Sequence, residues 1–143
     1  MMMLTIRTAM VNGGGEPAWI EIGNNGGEED LARFGLRVQQ AGGNQRIVWQ
    51  GRAEDVLGGL GTLRLTDGSE QGMPPAGEPR MVIAVAGLDL TGALGGSITL
   101  FWMDGNMDVQ NETVIVRAGS PTGECLYRDG NELVAIDRMP YHP

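Results

Sequence analysis

Lysine is absent from this chain, and histidine and cysteine occur once each, as His142 and Cys125. Without lysine there is no residue for a Schiff base and no phosphate-loop lysine. One histidine at the second-last position argues against a Ser-His-Asp triad and against a site with several histidine ligands. One cysteine excludes an intrachain disulfide and a cysteine-rich zinc site. We therefore expect a protein that is not an enzyme and that carries no cofactor.

Clustered positive charge and long hydrophobic runs are also missing. The 10 basic residues are all arginine and lie scattered among 18 acidic residues, which gives a formal net charge of -8. Contacts to nucleic acid or to an anionic membrane need clustered basic residues, so neither partner is expected. The longest apolar run, residues 81–88, is far shorter than a membrane span of about 20 residues. The first ten residues lack the pattern of a signal peptide, so we expect synthesis in the cytoplasm.

Glycine is abundant, with 24 residues in a chain of 143, and it separates short segments of alternating apolar and polar residues. Such period-2 segments bounded by turn residues are typical of strands. The length fits one domain. The sequence therefore predicts an all-β, single-domain antiparallel sandwich or jelly-roll/barrel-like fold over residues 1–143, with nine or ten strands and little helix.

The predicted strands can be placed individually. They cover residues 4–8, 19–22, 34–39, 47–49, 63–66, 81–90, 97–103, 112–117, 125–127 and 133–136. Residues 34–39 and 47–49 are predicted to form a hairpin, and Asp129-Gly130 predicts a second hairpin turn. The segment 81–90 begins with a continuous apolar run, so we expect it to be buried on both faces of a sheet.

Proline and acidic residues mark the parts of the chain that are not strands. Residues 71–79 contain three prolines and two glycines and are predicted to be a loop. Residues 25–33 and 55–57 are predicted to hold one short helical turn each. Residues 138–143 combine two prolines with an aromatic residue, and we expect an extended C-terminal arm that either docks on a neighbour or frays.

One string of oxygen-bearing residues suggests a metal. Asp104, Asn106 and Asp108 place oxygens at alternate positions, as in a D-x-N-x-D calcium loop. The pattern departs from an EF-hand because Val109 stands at the sixth position and Ile115 at the twelfth. It also lies between two predicted strands rather than two helices. A calcium site and an ordinary polar hairpin loop are both consistent with these residues.

Neighbouring carboxylates invite a hydrolase interpretation, since glycoside cleavage needs two carboxylates at a set separation. The adjacent acids are Glu28, Glu29 and Asp30, and then Glu54 and Asp55. Acids that are neighbours in sequence on turns seldom converge in space. We therefore expect these residues to be solvated, and no serine lies in the G-x-S-x-G pattern of an acyl-transfer enzyme.

The large side chains suggest contact with other subunits. Trp19, Trp49 and Trp102 all lie in predicted strands, and Met139 and Tyr141 lie in the predicted arm. We take these five residues as core or interface anchors in preference to ligand platforms.

Two functions from different classes follow. The first is a non-enzymatic structural or interaction protein of a multisubunit assembly, with protein subunits as partners in a homo-oligomer or a capsid lattice. A virion component, such as a capsid decoration (cementing) protein or a tail-associated protein, is the preferred form of this hypothesis. The alternative is a small β-barrel that binds or hydrolyses a ligand or glycan with carboxylates, with calcium near Asp104 and Asp108.

Overall fold

The structure is a computed structural model, and it describes residues 4–67, 80–104 and 107–136. Strands account for 55% of the described residues and helical turns for 6%. The strands are β1 (Leu4–Met10), β2 (Trp19–Asn24), β3 (Glu29–Asp30), β4 (Phe34–Gln39), β5 (Gln45–Gln50), β6 (Val56–Leu57), β7 (Thr62–Thr66), β8 (Arg80–Ala84), β9 (Gly96–Asp104), β10 (Met107–Val116), β11 (Cys125–Asp129) and β12 (Glu132–Val134).

Ten of these strands form one large sheet. Their order across the sheet is β5-β4-β9-β10-β12-β11-β1-β2-β7-β8, and β3 and β6 form a separate two-stranded ribbon. The large sheet curls into a half-barrel, which confirms the prediction of an all-β, barrel-like fold with little helix.

The alternation of residue types explains which face of each strand turns inward. In β2 and β7, Ile20 lies opposite Leu65 and Ile22 lies opposite Leu63, and all four side chains are fully buried. Residues two apart share a face, so these aliphatic side chains all point into the core enclosed by the curled sheet. Burial of each such side chain contributes about 1.5–3 kcal/mol.

Both predicted hairpins are confirmed. β4 pairs antiparallel with β5, and β11 pairs antiparallel with β12. In the second hairpin Asp129 lies opposite Glu132, and Gly130 has a φ of 62°. That left-handed conformation suits glycine because it has no Cβ to clash with the backbone.

The sequence predicted an antiparallel sheet, but the observed sheet is mixed. β7 runs parallel to β8, and β10 runs parallel to β12. Parallel neighbours cannot be joined by a tight hairpin and need a longer connection. The alternation of residue types does not encode strand direction, so the pattern could not reveal these two pairs.

The prediction of a strand over residues 81–90 is confirmed only as far as Ala84, and the prediction that this strand is buried on both faces is wrong. β8 ends at Ala84, and residues 81–83 are half-buried. The reason is the position of β8, which is the last strand of the sheet and has a neighbour on one side only within the described residues. After Ala84 the chain turns away, with Gly87 at a φ of 72°.

Helical structure in the described ranges consists of two 3-10 turns, Leu31–Arg33 and Thr91–Ala93. The first confirms the turn predicted within residues 25–33, and Asp30 caps it by accepting a hydrogen bond from the Ala32 N–H at 3.0 Å. The turn predicted at residues 55–57 is wrong, because β6 forms there instead.

Neither of the two 3-10 turns approaches the length and apolar character of a membrane-crossing helix. The predicted loop 71–79 and arm 138–143 lie outside the described residues.

A polar clamp joins β10 to β1 beside the short strands β11 and β12. The Glu112 carboxylate accepts hydrogen bonds from the Ile6 N–H at 2.7 Å and from the Thr5 hydroxyl at 2.9 Å. It also pairs with Arg128 at 2.8 Å, and the same guanidinium donates to the Ile6 carbonyl at 2.8 Å. Two side chains thus satisfy backbone groups of β1 at a point beyond its pairing with β11, where no described strand covers that edge.

Candidate interaction surface

The half-barrel is open along one side, between β5 and β8. Each of these strands is paired on one side only within the described part of the chain. A cavity of about 280 Å³ lies between them, lined by residues 48–50, Arg52 and Asp55 on one side and by residues 83–86 on the other. A second cavity of about 170 Å³ continues from it, lined by residues 46–48 and 85–89. We call this gap, bordered by residues 46–50 and 83–89, the seam.

The direction of the two edges follows from the order of the sheet. Of the nine neighbouring pairs that lead from β5 to β8, two are parallel and the others are antiparallel. β5 and β8 therefore run in opposite directions. The cavity linings agree, because Arg46 shares a cavity with Leu88, while Gln50 shares one with Ile83.

The inner wall of the seam is aliphatic. Val48, Ile83 and Val85 are half-buried, and they pack against the hydrophobic core. Ala84 and Ala86 are exposed and small. In the described part of the chain the seam thus presents backbone edges without a partner strand above aliphatic side chains, which is the surface that a β-strand covers when it joins a sheet.

Each end of the seam carries one basic and one acidic residue. At one end the Arg46 guanidinium crosses the gap and donates a hydrogen bond to the Asp89 carbonyl at 3.2 Å. Hydrogen bonds from the Thr91 hydroxyl at 2.6 Å and the Thr91 N–H at 2.9 Å hold the pKa of the Asp89 carboxyl below its ordinary value. Arg52 and Asp55 line the other end.

A larger cavity lies elsewhere in the described structure. It has a volume of about 420 Å³ and is lined by Asn12, Gly15, Glu16, Pro17, Ala18, Asp67 and Leu88. Asn12 accepts a hydrogen bond from the Leu90 N–H at 2.8 Å, so its amide oxygen has a structural task. Among the described residues no three His, Cys, Asp or Glu side chains are grouped to hold a metal ion.

The adjacent acids of the sequence are placed on the small ribbon and its turns. Glu29 lies opposite Leu57 and Asp30 opposite Val56 in the β3–β6 pair. Asp30 caps the first 3-10 turn, and the Asp55 carbonyl accepts a hydrogen bond from the Leu31 N–H at 2.9 Å. Glu28 and Glu54 are exposed. In this part of the fold two of these acidic residues help to hold a turn.

The suggested calcium loop lies at the β9–β10 hairpin. Met107 lies opposite Asp104 and Asp108 lies opposite Met103 in the register of the two strands. Asn106 lies outside the described residues, and calcium binding by the three residues stays a prediction.

The three tryptophans occupy different environments. Trp19 is buried, with the Arg64 guanidinium 4.2 Å from the centre of its ring. Trp102 is half-buried opposite Phe34. Trp49 is 7% exposed and lines the seam. Met139 and Tyr141 lie outside the described residues, and the interface role of all five residues stays a prediction.

Cys125 is expected to be a poor nucleophile. Partial burial raises the pKa of its thiol above the ordinary value. The thiol therefore stays protonated at pH 8, and iodoacetamide should label it several-fold more slowly in the folded protein than in denaturing urea. Mass spectrometry of timed samples measures both rates. The thiol ionises at lower pH in the unfolded chain than in the folded one. The free energy of unfolding therefore falls as pH rises above the pKa of the unfolded thiol. Equal labelling rates in the two states would contradict the assignment.

Sequence reasoning missed the two polar residues that the fold buries most deeply, Asn24 and Arg64. The alternating pattern of β7 assigns Arg64 to a polar, solvated face, and Asn24 follows the predicted strand 19–22, where asparagine usually marks a surface turn. It also missed the seam, because the seam is a product of strand order. No model of a protein family matches the chain, and neither the curated proteins nor the solved structures yielded a match.

Proposed function

We propose that this chain is a non-enzymatic structural or interaction protein of a multisubunit assembly, and that another subunit binds at the seam. The observation that carries the proposal is that no strand among the described residues covers the outer edges of β5 and β8, which face each other across the two cavities. An unpaired edge presents a row of N–H and C=O groups that pairs readily with another chain.

The edge strands carry few of the features that keep such edges from associating. Proteins that protect an edge place lysine, proline or inward-pointing charges on it. β5 has one charged residue, Arg46, and an irregularity of register at Val48, and β8 has one charged residue, Arg80; neither strand contains proline. This composition favours strands that receive a partner over strands that avoid one.

The assembly that we propose first is a virion. In it the chain would be a capsid decoration (cementing) protein or a tail-associated protein. Such proteins attach many copies of one small domain to a repeating lattice. This chain has 143 residues, and we propose that it binds through backbone pairing along one side. A small domain that binds in this way suits repeated attachment to a lattice.

The test is the size of the protein isolated under native conditions from the cells that make it. We expect light scattering to show a particle larger than the 15.2 kDa chain. The variant Ala84→Lys should dissociate that particle, because it places a charged side chain in the seam at an exposed position. Ala118→Lys is the matched control, since Ala118 is exposed in the turn after β10, and it should leave the particle intact.

Two results would overturn the proposal. One is a wild-type protein that is monomeric and carries no other subunit. The other is a particle that Ala84→Lys and Ala118→Lys affect equally, although circular dichroism shows both variants to be folded.

A further inference from the structure

We propose that the occupant of the seam is a single extended segment of a partner subunit, about five residues long, uncharged, with aliphatic side chains at alternate positions. This inference rests on the proposed function and specifies the partner that the seam takes. It follows from the backbone edges, the side chains and the charges that border the gap.

The backbone edges determine the number and the form of the occupant. One arginine side chain, that of Arg46, spans the gap and reaches the Asp89 carbonyl at 3.2 Å. A strand inserted between two others needs about 9–10 Å between its neighbours, twice the normal strand spacing. Asp89 lies five residues beyond the end of β8, so this contact measures the seam only at its Arg46 end, where the gap has room for one strand and not for two.

Both edges contribute to binding. Because β5 and β8 run in opposite directions, an inserted strand is antiparallel to one edge and parallel to the other, whichever way it enters. Both kinds of pairing satisfy the backbone groups of an edge. Insertion thus joins the two ends of the sheet and closes the half-barrel.

The side chains of the seam select aliphatic residues at alternate positions of the occupant. Side chains of a strand point alternately to the two faces of a sheet. Those directed inward would meet Val48, Ile83 and Val85, which are half-buried and already pack against the core. Those directed outward face solvent, where any polar uncharged residue is accommodated.

The charges select an uncharged occupant. The seam has Arg46 and Asp89 at one end and Arg52 and Asp55 at the other, so it is locally neutral in a chain of net charge -8. A charged residue of either sign at an end of the occupant would meet a like charge there. An uncharged strand avoids this repulsion and also loses no ionic hydration when it enters the gap.

The probe for this inference is a synthetic heptapeptide of alternating threonine and valine, blocked at both ends. Nuclear magnetic resonance and amide hydrogen exchange are measured on the full chain with and without the peptide. We expect exchange of amides in residues 46–50 and in residues 83–86 to slow by about tenfold or more at saturation. A matched peptide with proline in place of the central valine should bind at least about tenfold more weakly, because proline lacks the N–H. Ala84→Lys should abolish protection, and Ala118→Lys should not.

The outcomes separate this inference from the proposed function. Protection of one edge alone, or equal binding of the proline peptide, overturns insertion of a strand between the two edges. An assembly that Ala84→Lys dissociates, combined with no peptide binding, overturns this occupant and leaves the proposed function in place. Peptide protection of both edges in a chain that is monomeric and unaccompanied in its cells supports this occupant and overturns the proposed function.

Discussion

Replacing Glu21 by alanine should lower the free energy of unfolding by about 3 kcal/mol, as expected when a buried cation loses its partner. Arg64 is fully buried, and its guanidinium stacks on Trp19. Its Nε donates to Glu21 Oε2 at 3.3 Å, and Nη2 lies 3.2 Å from the same oxygen without the geometry of a hydrogen bond. Among the described residues Glu21 is the one carboxylate paired with this cation.

The effect of Glu21→Ala is expected to be large because the positive charge of Arg64 remains buried. Nη1 and Nη2 of Arg64 have no hydrogen-bond acceptor within the described structure, so the arginine already depends on Glu21 and on the Trp19 ring. Without the carboxylate, a positive charge would stay buried with the aromatic ring as its main compensation. Burial of an unpaired charge is far more costly than the loss of an exposed ion pair.

The matched control is Arg64→Met, which removes the charge and keeps an unbranched apolar chain. This variant should cost less than Glu21→Ala, and the double variant Glu21→Ala/Arg64→Met should recover most of the stability lost in Glu21→Ala. Urea unfolding followed by circular dichroism measures all three. If Arg64→Met destabilises the protein as much as Glu21→Ala does, the stacked guanidinium is itself a major source of stability and the argument from the unpaired charge is wrong.

The second large effect is expected at Asn24, the fully buried residue at the end of β2. Its Nδ2 donates to the Gly27 carbonyl at 2.8 Å and to the Gly58 carbonyl at 3.1 Å, and its Oδ1 accepts from the Gly26 N–H at 3.0 Å. One side chain thus holds the turn after β2 against the turn before β7. Asn24→Ala should lower the free energy of unfolding by about 3 kcal/mol, because it leaves buried backbone groups without partners.

Asn25 supplies the comparison. It is the next residue along the chain and is exposed, and its Oδ1 accepts one hydrogen bond, from Arg7, at 3.0 Å. Asn25→Ala should change the free energy of unfolding by less than about 0.5 kcal/mol, as is usual for surface positions. Equal effects of the two substitutions in urea unfolding would show that the buried amide does not hold the turns together.

The strands were predictable because each follows from the pattern of residues within its own segment. Alternation in Phe34–Gln39 and Gln45–Gln50, together with the glycine turn between them, is enough to specify a hairpin. The strand order is not local, since β4 has β9 as its other neighbour and β1 has β11. The seam depends on which two strands are left at the ends of that order, so no pattern within β5 or β8 could reveal it.

The buried polar residues were unpredictable for a related reason. Arg64 occupies an alternate position of β7 that the pattern assigns to solvent, yet all five residues of β7 are buried. Asn24 follows Gly23 at the end of a strand, where asparagine usually marks a surface turn. In both cases residues distant in sequence determine the burial, and a single sequence does not say which distant residues these are.

The polar clamp between Glu112 and β1 has a consequence for how the chain folds during synthesis. Thr5 and Glu112 are 107 residues apart, and β11, the neighbour of β1, lies further along still. At a translation rate of about 5–20 residues per second, β2 follows β1 almost at once, but β10 and β11 leave the ribosome several seconds later. During that interval one edge of β1 is open to other nascent chains. Until Glu112 and β11 have been synthesised, this edge of β1 is therefore a place where another strand can pair.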